Sequence, residues 1–230
     1  MSGPTSASRR SRASAQMPYV TVEEELSAAL SAAGLGPGGL EHRVRSGMNP
    51  ETVAGYDAAV VRAISGGVIA GLIERGELEL ARRDTAVRRC RDGNARSSVE
   101  EFVLRELSPG RATWLRRVVG RVEVALADGS VKYAATAPRA DVVSRLAGVV
   151  GRTDGSSRDC LLLALLHVTR CDVPVLGPPL AGRSDRQIRA ASRIAGRSDP
   201  LAKAMLTAMK DRALTDWVDG PLDVLMDFVP

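Results

Sequence analysis

Residues Ser157–Arg170 read SRDCLLLALLHVTR. The run is apolar nearly all round, so it lacks the polar stripe a surface helix presents to water. Spanning a bilayer takes ~18–20 uninterrupted apolar residues, and Leu161–Val168 falls far short of that. The segment is therefore expected to be a central buried helix, which the rest of the chain must enclose. Aromatic residues make up only 3% of the chain against 44% hydrophobic overall. The enclosing core must then come from Leu, Val, Ile and Ala, a composition that favours helix over strand.

The expected fold class is mainly α: a single globular helical domain with one or two short β-hairpins. Thr21 and Glu24 form a capping box ahead of Leu26 and Leu30, which fall on one helix face. Gly34–Gly39 ends that helix, and residues 40–52 read as loop. Val53–Arg75 carries apolar residues at three- and four-residue steps, interrupted by Gly66, Gly67 and Gly71. That helix is expected either to break near Gly66 or to pack closely there, and Gly76 is its stop. Glu77–Ala81 alternates, Arg82–Asp84 turns and Ala86–Cys90 returns, which predicts a hairpin.

Val99–Leu107 is a brief helix stopped by Pro109. Arg111–Ala127 is another, with Trp114, Leu115, Val118, Val122 and Leu126 on one stripe. Asp128-Gly129 is a turn, and Ser130–Ala135 is expected as a second β element. Arg139–Val150 is helical and breaks at Asp154–Gly155. Pro174, Pro178 and Pro179 mark a loop. Ser184–Ala195 and Ser198–Asp211 are the last helices, with Ser198 as a cap and Pro200 near the start. The organisation expected is a disordered basic tail over 1–18, one domain over 19–212, and a C-terminal tail over 213–230.

The formal net charge is +5 with a sequence pI of about 9.5. Such a balance points to an anionic partner: nucleic acid, phosphoinositide or an acidic membrane surface. Cys90, Cys160 and Cys171 are an odd, unpaired set that fits a reducing cytosol. With only His42 and His167 beside them, no metal site and no cofactor is expected. His167 reads as a hydrogen-bonded core histidine. The start, MSGPTSASRRSRASAQ, has no hydrophobic h-region, so no secretory leader is expected. Asp57 and Asp159 have no paired carboxylate, and no nucleophile or phosphate-loop motif appears, so no enzyme is expected.

Four segments together resemble the Golgi phosphoprotein 3-like (GPP34) family, in its actinobacterial type: VTVEEELSAAL at 20–30, GGVIAGLIERGELEL at 66–80, RDCLLLALLHVTRCDV at 158–173, and RSDRQIRAASRIAGRSDPLAKAMLTAMKD at 183–211. The resemblance covers roughly residues 19–212. It implies a cytoplasmic protein, peripherally associated with the inner face of a membrane, that recognises an anionic phospholipid headgroup resembling phosphatidylinositol 4-phosphate. The family pocket has one aromatic residue and three arginines. The aromatic position falls on Tyr56 and one arginine on Arg116. Ser65 and Val119 stand at the other two, with Arg62, Arg117 and Arg121 close by. The family's hairpin also supports self-association, which implies a homo-oligomer through that element.

The residues themselves give the site its chemistry. Arg117 and Arg121 are four apart on one helix face and can grip a phosphate together. The competing reading is a solvated face with surface ion pairs to Glu106 or Glu123. In the hairpin, Arg82, Arg83, Arg88, Arg89 and Arg91 would suit an acidic bilayer, or equally protect an edge strand from aggregation. Arg9, Arg10 and Arg12 in the tail add weak attraction at most. The alternative function is a basic helical nucleic-acid-binding or regulatory protein, resting on the arginines of Arg183–Arg197. It lacks a clear helix-turn-helix with a recognition helix.

Overall fold

The computed structural model describes residues 20–35, 50–90, 93–134, 136–151, 156–177, 180 and 199–219; side chains at 50–57, 151 and 210–219 lie outside the description. The fold is mainly helical with one small antiparallel sheet. Helix α1 (Val22–Ala32) begins with the expected capping box. The Thr21 hydroxyl accepts the Glu24 N–H at 3.3 Å, and the Glu24 carboxylate accepts the Thr21 N–H at 2.8 Å.

Helix α2 (Pro50–Glu74) starts inside the stretch read as loop and does not break at Gly66. Its glycines allow close approach instead. A Cβ at Gly67 would lie 2.9 Å from Leu26 Cδ2, and one at Gly71 would lie 3.1 Å from Glu23 Cβ. The α1 backbone thus sits in a groove that side chains on α2 would fill. Gly76, at φ +75°, turns the chain out of α2.

Strands β1 (Leu78–Ala81) and β2 (Ala86–Arg89) form the expected hairpin, with Leu78 opposite Arg89 and Ala81 opposite Ala86. A two-residue strand β3 (Thr113–Trp114) adds to β2. Helix α3 (Ser98–Glu106) is capped by Ser97, whose hydroxyl accepts the Glu100 N–H. Then follow α4 (Leu115–Ala127), α5 (Ala140–Gly151), α6 (Ser157–Val168), α7 (Asp172–Leu176) and α8 (Pro200–Asp219). Helix α6 is the central buried helix: Leu161 through Leu166 are at most 1% exposed. It packs on α1, α2, α5, α7 and α8.

Five further expectations need correcting. Trp114 is not on the buried stripe of a helix beginning at 111; pairing with Ala86 holds it in β3, 48% exposed. Residues 130–134 form no strand. Asp128 captures the Ser130 N–H at 2.8 Å and the Ser130 hydroxyl at 2.5 Å, a local turn that competes with any ladder. Pro174 lies within α7, in its first turn, where its missing N–H costs nothing. The cap of α8 is Asp199, whose Oδ1 accepts the N–H groups of Leu201 at 2.9 Å and Ala202 at 3.4 Å; Ser198 lies outside the described residues. The helix then continues to Asp219, past the expected end at 211. The tail at 1–18, the helix expected at Ser184–Ala195 and residue Arg91 also lie outside the description. Among the described residues, no helix is long and apolar enough to cross a membrane.

Candidate functional site

The β1–β2 turn is built without glycine, yet Arg82, Arg83 and Asp84 all adopt left-handed backbone, with φ of 50°, 57° and 65°. Non-glycine residues rarely hold this conformation, and three in succession must be held by their surroundings. The Thr85 hydroxyl donates to the Arg82 carbonyl at 2.6 Å and pins the turn. The turn carries Arg82 over the exposed face of Trp114, its guanidinium carbon 5.7 Å from the ring centroid. Arg83 points into solvent. From α8, Lys203 Nζ comes within 4.0 Å of Asp84.

Beside this turn lies a cleft of about 290 Å³, lined by Thr85, Trp114, Leu115, Arg116, Ala204, Thr207 and Ala208. Its floor is apolar and Arg116 is exposed at its rim. Among the described residues, neither Arg83 nor Arg116 has an ion-pair partner. One corner of the molecule therefore combines an exposed indole, a short apolar floor and several cations.

The other candidate residues are placed differently. Arg117 and Arg121 do share a face. They line a second cleft of about 500 Å³ with Phe102, Glu106, Gly120, Val124, Ala125, Asp128 and Ser130. There Arg121 Nη1 is 2.5 Å from Glu106, one of the two acids that a solvated, ion-paired face would use. Arg62 reaches from α2 towards α4, its Nε 3.4 Å from Glu123 Oε1. Ser65 and Val119 are fully buried, and the Ser65 hydroxyl donates to the Val61 carbonyl at 2.8 Å. The side chain of Tyr56 lies outside the described residues. In the hairpin, Arg88 pairs with Glu79 directly across the ladder at 2.6 Å. Arg89 turns inward, its Nη1 2.8 Å from the Leu104 carbonyl. Of the four hairpin arginines in the candidate set, Arg82 and Arg83 therefore present charge at the turn.

Two acidic clusters escaped the sequence reading. In the first, buried Glu25 of α1 accepts from Arg145 at 2.7 Å and from Arg158 at 2.7 Å. Arg145 also reaches Asp159 at 2.7 Å, and Arg158 bonds the Val20 carbonyl. Glu74 accepts the Val22 N–H at 2.9 Å, and burial raises its carboxyl pKa above the ordinary range. In the second, Glu23 is hydrogen-bonded to Glu100, and Arg75 lies 2.6 Å from Glu100. Tyr133 packs alongside, its phenol hydrogen-bonded to Ser27 and its pKa raised by burial.

Burial pushes the Cys171 thiol up to about 11 and raises that of Cys160, so neither is a ready nucleophile. His167 Nδ1 lies 2.9 Å from Asp172 Oδ2, which orients the ring at the end of α6. Among the described residues, no group of three or more His, Cys, Asp or Glu side chains is arranged to hold a metal ion. No family model, curated protein or solved structure matches the chain.

Proposed function

We propose that this protein is a non-catalytic, peripheral membrane-binding protein that recognises an anionic phospholipid headgroup, in the manner of the Golgi phosphoprotein 3-like family it resembles. The observation that carries the reading is the corner where exposed Trp114 and Arg116 line one cleft beside the turn that carries Arg82 and Arg83. An indole with a large exposed face is at home in the interfacial layer of a bilayer. Basic residues near an acidic leaflet contribute about 1 kcal/mol each. The guanidinium of Arg116 at the cleft rim suits a phosphate oxygen, while the apolar floor suits the glycerol or ring portion above it.

Arg117 and Arg121 offer a second phosphate contact on the same helix, in competition with Glu106. β1 is an edge strand of the sheet, so self-association through the hairpin would extend it there. Binding on the cytoplasmic leaflet fits the same reading.

The test is co-sedimentation with vesicles of neutral phosphatidylcholine, of phosphatidylserine mixtures, and of mixtures doped with phosphatidylinositol 4-phosphate, each over a range of salt. Binding should need the acidic lipids and weaken as salt rises. Arg83→Glu with Arg116→Glu should reduce it by more than tenfold, and Trp114→Ala should reduce it without changing the salt dependence. Equal binding to neutral and acidic vesicles, or full binding by the double variant, would overturn the proposal.

A further inference from the structure

Two carboxyl groups in direct hydrogen-bond contact, one buried and the other half-buried, need a proton between them. Glu23, in the first turn of α1, and Glu100, in the first turn of α3, are such a pair. Glu100 is already engaged at both oxygens, one by an ion pair and the other as a hydrogen-bond acceptor. Arg75 Nη2 is 2.6 Å from Oε1, and the Arg96 N–H donates to Oε2 at 2.5 Å. Glu23 is then left to carry the proton and donate it. Gly71 of α2 brings Glu23 against the α2 backbone, so close that a Cβ there would lie 3.3 Å from the carboxylate oxygen.

The charged and titratable groups facing Glu23 are Glu24 on its own helix, Arg75 at the end of α2, Glu100 on α3, and Tyr133 from the segment before α5. Among the described residues Arg75 is the single cation in this group, and one cation does not balance two carboxylates withdrawn from water. We infer that this junction is a proton-dependent clasp: a proton shared by Glu23 and Glu100 beneath Arg75 holds α1, α3 and the Tyr133 segment together, and its loss loosens α3 and that segment. The inference stands apart from the membrane-binding reading and does not use its residues.

Desolvation by burial, followed by the nearby Glu100 charge, pushes the Glu23 carboxyl up to about 8 from its ordinary value of 4.5. Between those values the folded protein holds a proton that the unfolded chain has released. Stability is therefore full below the lower value and falls as pH rises to the upper one, by up to about tenfold in the folding constant per pH unit. Below that window, Asp128 and Asp141, lowered by their own hydrogen bonds, act in the opposite sense. Above it, Cys90, Cys160, Cys171 and Tyr133 begin to contribute.

Urea unfolding from pH 5 to pH 8 should show that decline in the natural sequence. Glu23→Gln, whose amide can donate to Glu100 at any pH, should flatten it and be the more stable protein at pH 8. A carboxylic-acid C=O stretch in the infrared spectrum at neutral pH should bleach towards pH 9. The stretch should persist in Glu74→Gln, which removes the other carboxyl raised by burial. A decline unchanged in Glu23→Gln overturns the clasp. So does the absence of the acid stretch at neutral pH, or its loss in Glu74→Gln, and those readouts decide the matter even if Glu23→Gln fails to fold.

Discussion

The hairpin corner and the α1 junction use the same two residue types, Arg and Glu, to opposite ends. At the junction, Glu25 is 6% exposed and engages two arginines, which themselves reach Asp159 and the Val20 carbonyl. At the corner, Arg83 and Arg116 stand in water with no acidic partner among the described residues, next to an indole left 48% exposed. Buried charges in proteins are stable only when paired and hydrogen-bonded, and the junction meets that demand at every acid described. Solvated cations on a surface contribute little to folding. What they supply is a positive potential and loose guanidinium groups that can change partner when an anion arrives. Partnering is thus the practical discriminator between arginines that hold this molecule together and arginines free to bind.

The largest effect that could break this contrast is at Glu25. Glu25→Ala leaves Arg145 and Arg158 facing each other in a half-buried site. Removing one partner of a buried pair typically costs 3–5 kcal/mol. Both arginines are partly exposed, with side chains 39% and 27% accessible, so water recovers some of that loss. The expected change is about 3 kcal/mol in urea unfolding at pH 7, with vesicle binding by the folded fraction unaltered. A loss of vesicle binding without a loss of stability would reverse the roles assigned to the two regions.

The Gly71 position gives a smaller effect on the same side. Gly71→Ala gains about 1 kcal/mol of helix propensity. Against that, the new methyl group meets Glu23 Cβ at 3.1 Å. Glu23 cannot yield, because its carboxyl is held by Glu100 and its backbone follows the Thr21 cap. Overpacking of this kind costs about 1–3 kcal/mol. A net loss of about 1 kcal/mol is expected, together with a weaker pH dependence between pH 5 and 8. A stabilised Gly71→Ala protein would mean that α1 can slide on α2, and that the junction is looser than its hydrogen bonds imply.

The sequence disclosed what depends on neighbours along the chain and hid what depends on distant ones. The Thr21–Glu24 box spans three residues, the hairpin spans a turn, and the all-round apolarity of α6 is visible in a single window; all three are present. The junction joins Glu25 to residues 120 and 133 positions away, and no local pattern announces such a pair. Trp114 has a helical period with Leu115 and Val118, and only the ladder with β2, formed across 28 residues, pulls it out of the helix. The arginine cluster was legible in part. Residues one apart on a helix differ by about 100° in direction, so Arg116 and Arg117 could not share a cleft, whereas Arg117 and Arg121 could. The structure divides them in that way. Ser65 and Val119 face the core, so the family arginine positions cannot be supplied from them without rebuilding the packing.

The smallest effect is the one that separates the two regions most sharply, because stability and binding should move in opposite directions. Arg83 holds φ at 57° in a turn with no glycine. A left-handed L-residue costs roughly 1–2 kcal/mol. Glycine removes that strain but adds about 0.5–1 kcal/mol of chain entropy to be lost on folding. Arg83→Gly should therefore be more stable by about 0.5–1 kcal/mol in urea unfolding. It also deletes one basic residue from the corner, worth about 1 kcal/mol at an acidic surface, and so should bind phosphatidylserine vesicles about fivefold more weakly at low salt. The junction offers no substitution with that signature, since its charges serve folding alone. If Arg83→Gly gains stability and keeps its full affinity for acidic vesicles, the strained turn is not there to present a cation, and the corner loses its claim as the binding face.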